Sequence, residues 1–222
     1  LASGEAVLSD EEKELGTALI DLGGGTTDLA IFAGKNIKHT FVLALGGNNL
    51  TNDIAIGLRA PHADAEKIKT RFGTCLPHSV SAEDMIEVPG VGGREARKLP
   101  RQILGEILEP RMEEIFTLVK REIYRAGMEA SIPSGLVLTG GTSLLKGTTE
   151  IAESVFNLQT RRGKPQGISG LVDVVNNPMY ATGVGLVLYG ARNQTEKKFR
   201  IRDANIFNRI VAQMKRWFKD VV

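Results

Sequence analysis

The string Asp21-Leu22-Gly23-Gly24-Gly25-Thr26-Thr27-Asp28 holds the residue types needed to keep a phosphate and a cation together. Three consecutive glycines remove every Cβ from the turn. Backbone N–H groups can then close around an anion that a side chain would block. Thr26 and Thr27 add hydroxyl donors. Asp21 and Asp28 repel phosphate and suit a hydrated Mg²⁺ ion instead. The apolar runs Ala18-Leu19-Ile20 and Leu29-Ala30-Ile31-Phe32 flank the string, so it reads as the turn of a β-hairpin. It does not follow the Gly-x4-Gly-Lys-Ser/Thr pattern of P-loop proteins.

Two other segments carry chemistry of the same kind. The short apolar strand Leu136-Val137-Leu138 runs into Thr139-Gly140-Gly141-Thr142-Ser143, where bare backbone can approach a flat ligand such as adenine or ribose. In Ala65-Glu66-Lys67-Ile68-Lys69, Glu66 and Lys69 lie three apart and share one face of a helix. Taken alone, that pair reads equally well as a surface ion pair. His39, His62 and His78 are scattered without partner spacing, and no catalytic residue is assigned.

The elements that must position these groups alternate between strand and helix. Residues 5–15 have helical character and end at Gly16; the hairpin 17–32 and a third strand over 37–44 follow. Gly46-Gly47-Asn48-Asn49 turns into a helix with Asn49 or Thr51 as N-cap. Residues 64–72 are helical with Asp64 leading, 77–103 are irregular with a strand at 84–91, and a long helix spans roughly 100–129. Pro110 inside it implies a kink or a break. A helix over 147–156 and an exposed, basic stretch over 160–170 come next. Pro178 then opens a helix bearing Ala181, Gly183, Gly185 and Gly190. Each glycine costs a helix about 1 kcal/mol against alanine, so this helix is expected to be buried and closely crossed by another element.

The 222 residues suit one large domain or two small ones, and a net charge of +2 says little about partners. The single cysteine, Cys75, excludes an internal disulfide and is expected to be buried and unreactive in a reducing compartment. No run approaches the length of a membrane span, and there is no secretory signal. The chain opens on Leu1-Ala2-Ser3-Gly4 without an initiator Met, which reads as a piece of a longer protein.

The C-terminal tail is a second strong signal. Lys197, Lys198, Arg200 and Arg202 form a basic linker. Beyond it, Ile206, Phe207, Ile210, Val211, Met214, Trp217 and Phe218 fall on one stripe of an α-helix over 205–222, and Arg209, Lys215, Arg216 and Lys219 lie beside or opposite it. Such a helix is too polar to cross a bilayer but suits the headgroup plane of an anionic membrane. There each cation contributes about 1 kcal/mol and the apolar stripe adds burial. Docking on a protein groove is the competing reading. Nucleic-acid binding leaves the apolar stripe without a role and is set aside.

In combination, these motifs resemble the actin-like ATPase superfamily: the phosphate-2 loop over 21–28, the adenosine motif over 136–145, and Pro-x-x-Ala-x-Gly-x-Gly from Pro178 as the second connecting helix. With the terminal helix, and with Leu45–Asp53, Val88–Arg94 and Ile107–Arg111, the chain is similar to the C-terminal half of the FtsA family of bacterial cell-division proteins. The resemblance implies an α/β fold of the actin-like, ribonuclease H-like type, present in part, with an inserted α+β subdomain and a terminal amphipathic helix. Residues 1–60 and 135–195 would form subdomain 2A, 61–134 the inserted subdomain 2B, 196–204 the linker and 205–222 the membrane helix. It further implies that ATP with Mg²⁺ is held by Asp21, Gly23, Gly24, Gly25, Thr26, Thr27, Asp28, Glu66, Lys69, Gly140, Gly141, Thr142 and Ser143, with Asp21 and Asp28 on the metal. The partners implied are the C-terminal peptide of FtsZ, received by Arg94, Arg97, Lys98 and Arg101, a second copy in an actin-like filament, anionic lipid and later divisome proteins. The place implied is the cytoplasmic face of the inner membrane at the septum. No Asp-x-Gly-Ser/Thr loop precedes Asp21, so the chain supplies half a nucleotide clamp and is expected to bind ATP weakly without appreciable hydrolysis. An ATPase or kinase of the same superfamily is the alternative.

Overall fold

Ser9 divides the first helical stretch in two. Its hydroxyl accepts from the Glu12 N–H while the Glu12 carboxylate accepts from the Ser9 N–H. This reciprocal cap starts α2 (Asp10–Leu15) afresh after α1 (Ala2–Val7), so the single helix read over 5–15 is two. The structure, a computed structural model, describes residues 1–92, 94–168 and 175–194. The apolar runs around the glycines form β1 (Thr17–Leu22) and β2 (Thr27–Ala33), paired antiparallel with Asp21 opposite Asp28. A turn at Gly34-Lys35 leads to β3 (Asn36–Leu43), antiparallel to β2.

Helix α3 (Gly47–Gly57) begins earlier than its candidate caps. Asn49 sits in its first turn and reaches back to accept from the Gly46 N–H at 2.9 Å; Thr51 lies inside the helix and back-bonds to the Gly47 carbonyl. The reason is steric: Gly46 packs so tightly against the carbonyls of Gly23 and Gly24 that a Cβ there would lie 2.8 Å from each, so only glycine can hold the cap position. Helix α4 (His62–Phe72) follows, two residues ahead of Asp64. The strand expected at 84–91 is β4 (Met85–Val88), and it pairs with β5 (Arg97–Pro100), which sequence patterning did not reveal. Helix α5 (Gln102–Arg125) runs through Pro110 unbroken. The Glu106 carbonyl that Pro110 cannot satisfy lies on an exposed face, where water can serve it.

Strand β6 (Leu136–Thr139) is fully buried and lies parallel to β1, then α6 (Thr148–Phe156) leads to β7 (Thr160–Arg162), parallel to β6. The basic stretch read as exposed is thus in part a sheet edge, and Gly163 and Pro165 beyond it are buried. A turn at Pro178–Tyr180 enters α7 (Ala181–Gln194). The main sheet has the order β3-β2-β1-β6-β7. Alternation along its strands divides the side chains between two cores. Ile20, Leu22, Leu29, Ile31, Leu136 and Leu138 face the layer of α3, α5 and α6, together with Leu50, Ile54, Met112, Phe116 and Phe156. Leu19, Ala30, Phe32 and Val137 face α1 and α7, where Val7, Ala181, Val184 and Leu188 pack. Cys75 lies in the larger core with no exposed surface; burial pushes its thiol up to about 12, which makes it inert at neutral pH.

Residues Leu1–Leu188 form one compact unit. Within it, α7 is not buried all round as its glycines implied. Ala181 and Gly185 are buried, whereas Leu186 and Val187 are 59% and 72% exposed. Gly185 explains the close side: a Cβ there would lie 1.7 Å from the Ala2 carbonyl, while Gly183 meets nothing within 4 Å. The basic linker 196–204 and the helix read over 205–222 lie outside the described residues.

Candidate functional site

The glycine turn is shaped by hydrogen bonds to its carbonyls. The Gly23 N–H donates to Thr26 O at 2.9 Å and closes the loop. Gly23 O accepts from the Gly47 N–H at 2.9 Å and from Thr142 Oγ1 at 2.9 Å; Gly24 O accepts from the Asn48 N–H at 2.7 Å. With those carbonyls held from behind by α3 and by the turn after β6, the N–H groups of Gly24, Gly25 and Thr26 make no hydrogen bond among the described residues. Successive free N–H groups on an exposed turn are an anion-binding concavity.

The two threonines do not act as the free donors their position implied. Thr27 opens β2 on the inward face, is fully buried, and donates to Leu45 O at 2.9 Å. Strand alternation turns it away from the loop mouth. Thr26 is exposed and its hydroxyl donates to Asp28 Oδ2 at 3.0 Å. Asp21 accepts from Thr182 Oγ1 at 2.9 Å. The two carboxylates sit directly across the β1–β2 ladder, and among the described residues no cation pairs with either. Like charges at opposed positions destabilise a ladder, so a bound cation would relieve them. No group of three or more His, Cys, Asp or Glu forms a metal site among the described residues. The protein side of such a site would therefore be two carboxylates, which Mg²⁺ commonly takes alongside water and substrate phosphate.

A cavity of about 560 Å³ joins the dispersed motifs. Its wall includes Gly24 from the loop, Glu66 and Lys69 from α4, and Gly141 and Thr142 from the turn after β6. The Glu66–Lys69 pair is not a surface ion pair. Lys69 is 7% exposed, and its Nζ contacts Glu66 Oε2 at 2.8 Å, Gly47 O at 2.8 Å and Thr51 Oγ1 at 2.7 Å. Burial pushes the Glu66 carboxyl up, but hydrogen bonds from Lys69 and Thr51 outweigh it and hold the group below the usual carboxylate range. Gly140 has φ of +85° and stands so close to Asp21 that a Cβ would lie 2.5 Å from its Oδ1. Thr142 and Ser143 are buried: Thr142 clamps Gly23, and Ser143 Oγ donates to Gly140 O at 2.7 Å. They shape the backbone, and Gly141 offers the open surface.

The four cations read as a peptide receiver separate. The side chains of Arg94 and Lys98 are exposed and make no hydrogen bond or ion pair among the described residues. Arg97 donates to Leu58 O at 2.5 Å. Arg101 donates to Phe72 O at 2.8 Å, meets Asp84 at 3.5 Å, and lies on the cavity wall instead of the outer face. Sequence reasoning also missed Asn48, Phe72, Lys146 and Met179 on that wall. Asn48 and Lys146 adjoin recognised glycine turns and could have been read from that. Phe72 and Met179 carried no signal. Among the described residues no helix is long and apolar enough to cross a membrane. The membrane residues named above, from Ile206 to Lys219, lie outside the described residues.

The sequence model of the family described as Cell division protein FtsA matches residues 18–185. A cell division protein FtsA of Pseudomonas aeruginosa is 50% identical over 88% of this chain and 47% of its own length. Those of Escherichia coli K12 and Bacillus subtilis are 39% and 38% identical, over 99% and 87% of this chain and 53% and 42% of theirs. The chain thus spans about half the length of these curated relatives. Among solved structures, MreB5 of Spiroplasma citri bound to ADP aligns with a TM-score of 0.65 and 19% identity, covering 88% of this chain and 60% of that one. The PilM–PilN type IV pilus biogenesis complex aligns with a TM-score of 0.60 and 19% identity, covering 81% of this chain and 47% of that one. These likenesses establish an actin-like fold.

Proposed function

The chain belongs to the FtsA family of cell division proteins, and from that premise we propose that it is the nucleotide-holding half of an actin-like adaptor that ties FtsZ filaments to the cytoplasmic face of the inner membrane at the septum. The observation that carries this reading is the cavity in which Gly24, Glu66, Lys69, Gly141 and Thr142 meet from three distant segments. In it, the N–H groups of Gly24 to Thr26 receive the phosphates, Glu66 accepts from ribose hydroxyls, Lys69 holds Glu66 in place, and the backbone at Gly140-Gly141 supports the base. Asp21 and Asp28 hold Mg²⁺ through water. The ion neutralises phosphate charge when bound. That the MreB5 relative is described with ADP and another form with AMPPNP supports ATP as the ligand.

Residues 1–60 and 135–195 then act as subdomain 2A and 61–134 as subdomain 2B. Subdomain 2B receives the acidic C-terminal peptide of FtsZ on Arg94 and Lys98, the two cations left unengaged. Self-assembly, recruitment of later divisome proteins and contact of 205–222 with anionic lipid complete the role. Titration of ATP with Mg²⁺ against the chain tests its centre. Weak, saturable binding without turnover is expected, since one half of the clamp is present. Binding that Gly140→Val or Lys69→Ala leaves unchanged places the nucleotide elsewhere and overturns the reading.

A further inference from the structure

Thr182 lies inside the Pro-x-x-Ala-x-Gly-x-Gly segment but is none of the residues assigned to nucleotide or metal above, yet its Oγ1 donates to Asp21 Oδ2 at 2.9 Å across 161 residues of sequence. It is the second residue of α7, the helix that covers the far face of the sheet. Asp21, Asp28 and Thr182 line one cavity of about 390 Å³, distinct from the cavity that holds Glu66 and Lys69. The segment 21–28 therefore borders both cavities, with Gly24 on the wall of the first and its two carboxylates on the wall of the second. Asp21 is held there from two sides: Thr182 engages Oδ2, and the bare backbone of Gly140 stands against Oδ1. Asp28 has its own hydroxyl partner in Thr26. Without Thr182, repulsion from the opposed Asp28 would turn the Asp21 carboxylate outward.

We propose that Thr182 is a positioning residue for the divalent cation, fixing Asp21 so that both carboxylates face one point and making the first turn of α7 part of the cation site. This rests on the reading of Asp21 and Asp28 as the metal-holding pair. A group that orients a ligand of a metal typically changes metal affinity by about 10–100-fold. Linkage requires that the cation in turn strengthens the Thr182 contact.

Calorimetric ATP titration of the whole chain, with Mg²⁺ and with EDTA in its place, gives the ratio of affinities that the cation contributes. Thr182 is exposed, so Thr182→Val removes the hydroxyl without emptying the core. The ratio is expected to fall about 10-fold in Thr182→Val, with affinity in EDTA unchanged, and to recover in Thr182→Ser. Hydrogen exchange at the first turn of α7 should slow on adding Mg²⁺ and ATP to the wild type and not to Thr182→Val. An equal loss in both titrations marks a merely structural residue and overturns the proposal, as does an unchanged ratio. A wild-type ratio of one overturns the metal reading of Asp21 and Asp28 itself, and the proposal with it.

Discussion

Lys69 shows how one side chain joins stability to ligand binding. It is buried on α4, yet its three contacts reach α3 and its own helix, and they orient the Glu66 carboxylate that faces the cavity. Lys69→Ala leaves Gly47 O and Glu66 without their charged donor. Hydrogen bonds to charged groups are worth about 1.5–3 kcal/mol, so a loss of about 2 kcal/mol is expected from the urea midpoint, together with weaker ATP binding. Glu66→Gln keeps the shape and separates the two effects: ATP binding should fall further than stability. Carbon NMR of the Glu66 carboxylate gives a third measure. Its titration lies below the ordinary carboxylate range because Lys69 and Thr51 outweigh burial, and it should move up in Lys69→Ala. At this scale the sequence already named Glu66 and Lys69 and their shared face. It did not reveal that Lys69 is buried, because burial depends on α3 lying across α4.

Among the elements, the edge of the sheet is tied down by one arginine. Arg161 on β7 makes a two-pronged contact with Glu12 on α2, both bonds 2.6 Å, and donates to Val7 O at 2.8 Å. Burial pushes the Glu12 carboxyl up, but bonds from Arg161 and from the Ser9 N–H hold it below the usual range. A carboxyl depressed in the folded state stabilises fully above its unfolded pKa of about 4.3, and the contribution fades as pH falls through the lower folded value. Arg161→Ala should therefore cost about 1–2 kcal/mol at neutral pH, and its deficit against wild type should shrink on acidification below about pH 4, as read from urea midpoints across pH. Helix α5 makes the opposite prediction. Pro110 is exposed and removes one backbone bond from a helix that stays continuous, so Pro110→Ala should raise stability by about 1–3 kcal/mol, read as a higher urea midpoint. The hairpin β1–β2 and the strand β6 were legible because apolar runs bounded by glycines suit buried strands. Strands β5 and β7 were not, since Arg97-Lys98-Leu99-Pro100 and Thr160-Arg161-Arg162 are short and polar. They are strands only because β4 and β6 offer them backbone partners.

For the whole molecule, the proposed role requires a nucleotide site and a membrane contact in one chain. Truncation after residue 204 should abolish co-sedimentation with anionic vesicles and leave ATP binding intact. Trp217→Glu should do the same, and the Trp217 emission should shift to the blue on adding anionic vesicles to the wild type. Charge reversal at Arg94 should weaken binding of an acidic FtsZ C-terminal peptide several-fold, while reversal at Arg101 should damage nucleotide binding more than peptide binding, because Arg101 lines the cavity. Fluorescence anisotropy with labelled peptide and labelled nucleotide distinguishes the two.

Local rules were enough to read the glycine hairpin with an acid at either end of its turn and the buried strand before Gly140, because each depends on neighbours within a few residues, and the order of such motifs along the chain was enough to read the family. What they could not supply was depth and company. Only the assembled sheet turns Thr27 inward, sends Arg101 to the cavity wall, leaves half of α7 uncovered and brings Thr182 to Asp21. Those outcomes depend on which surfaces meet between separate elements, from 18 residues apart for Thr27 and Leu45 to 161 for Thr182 and Asp21, and no local pattern encodes a contact made by packing.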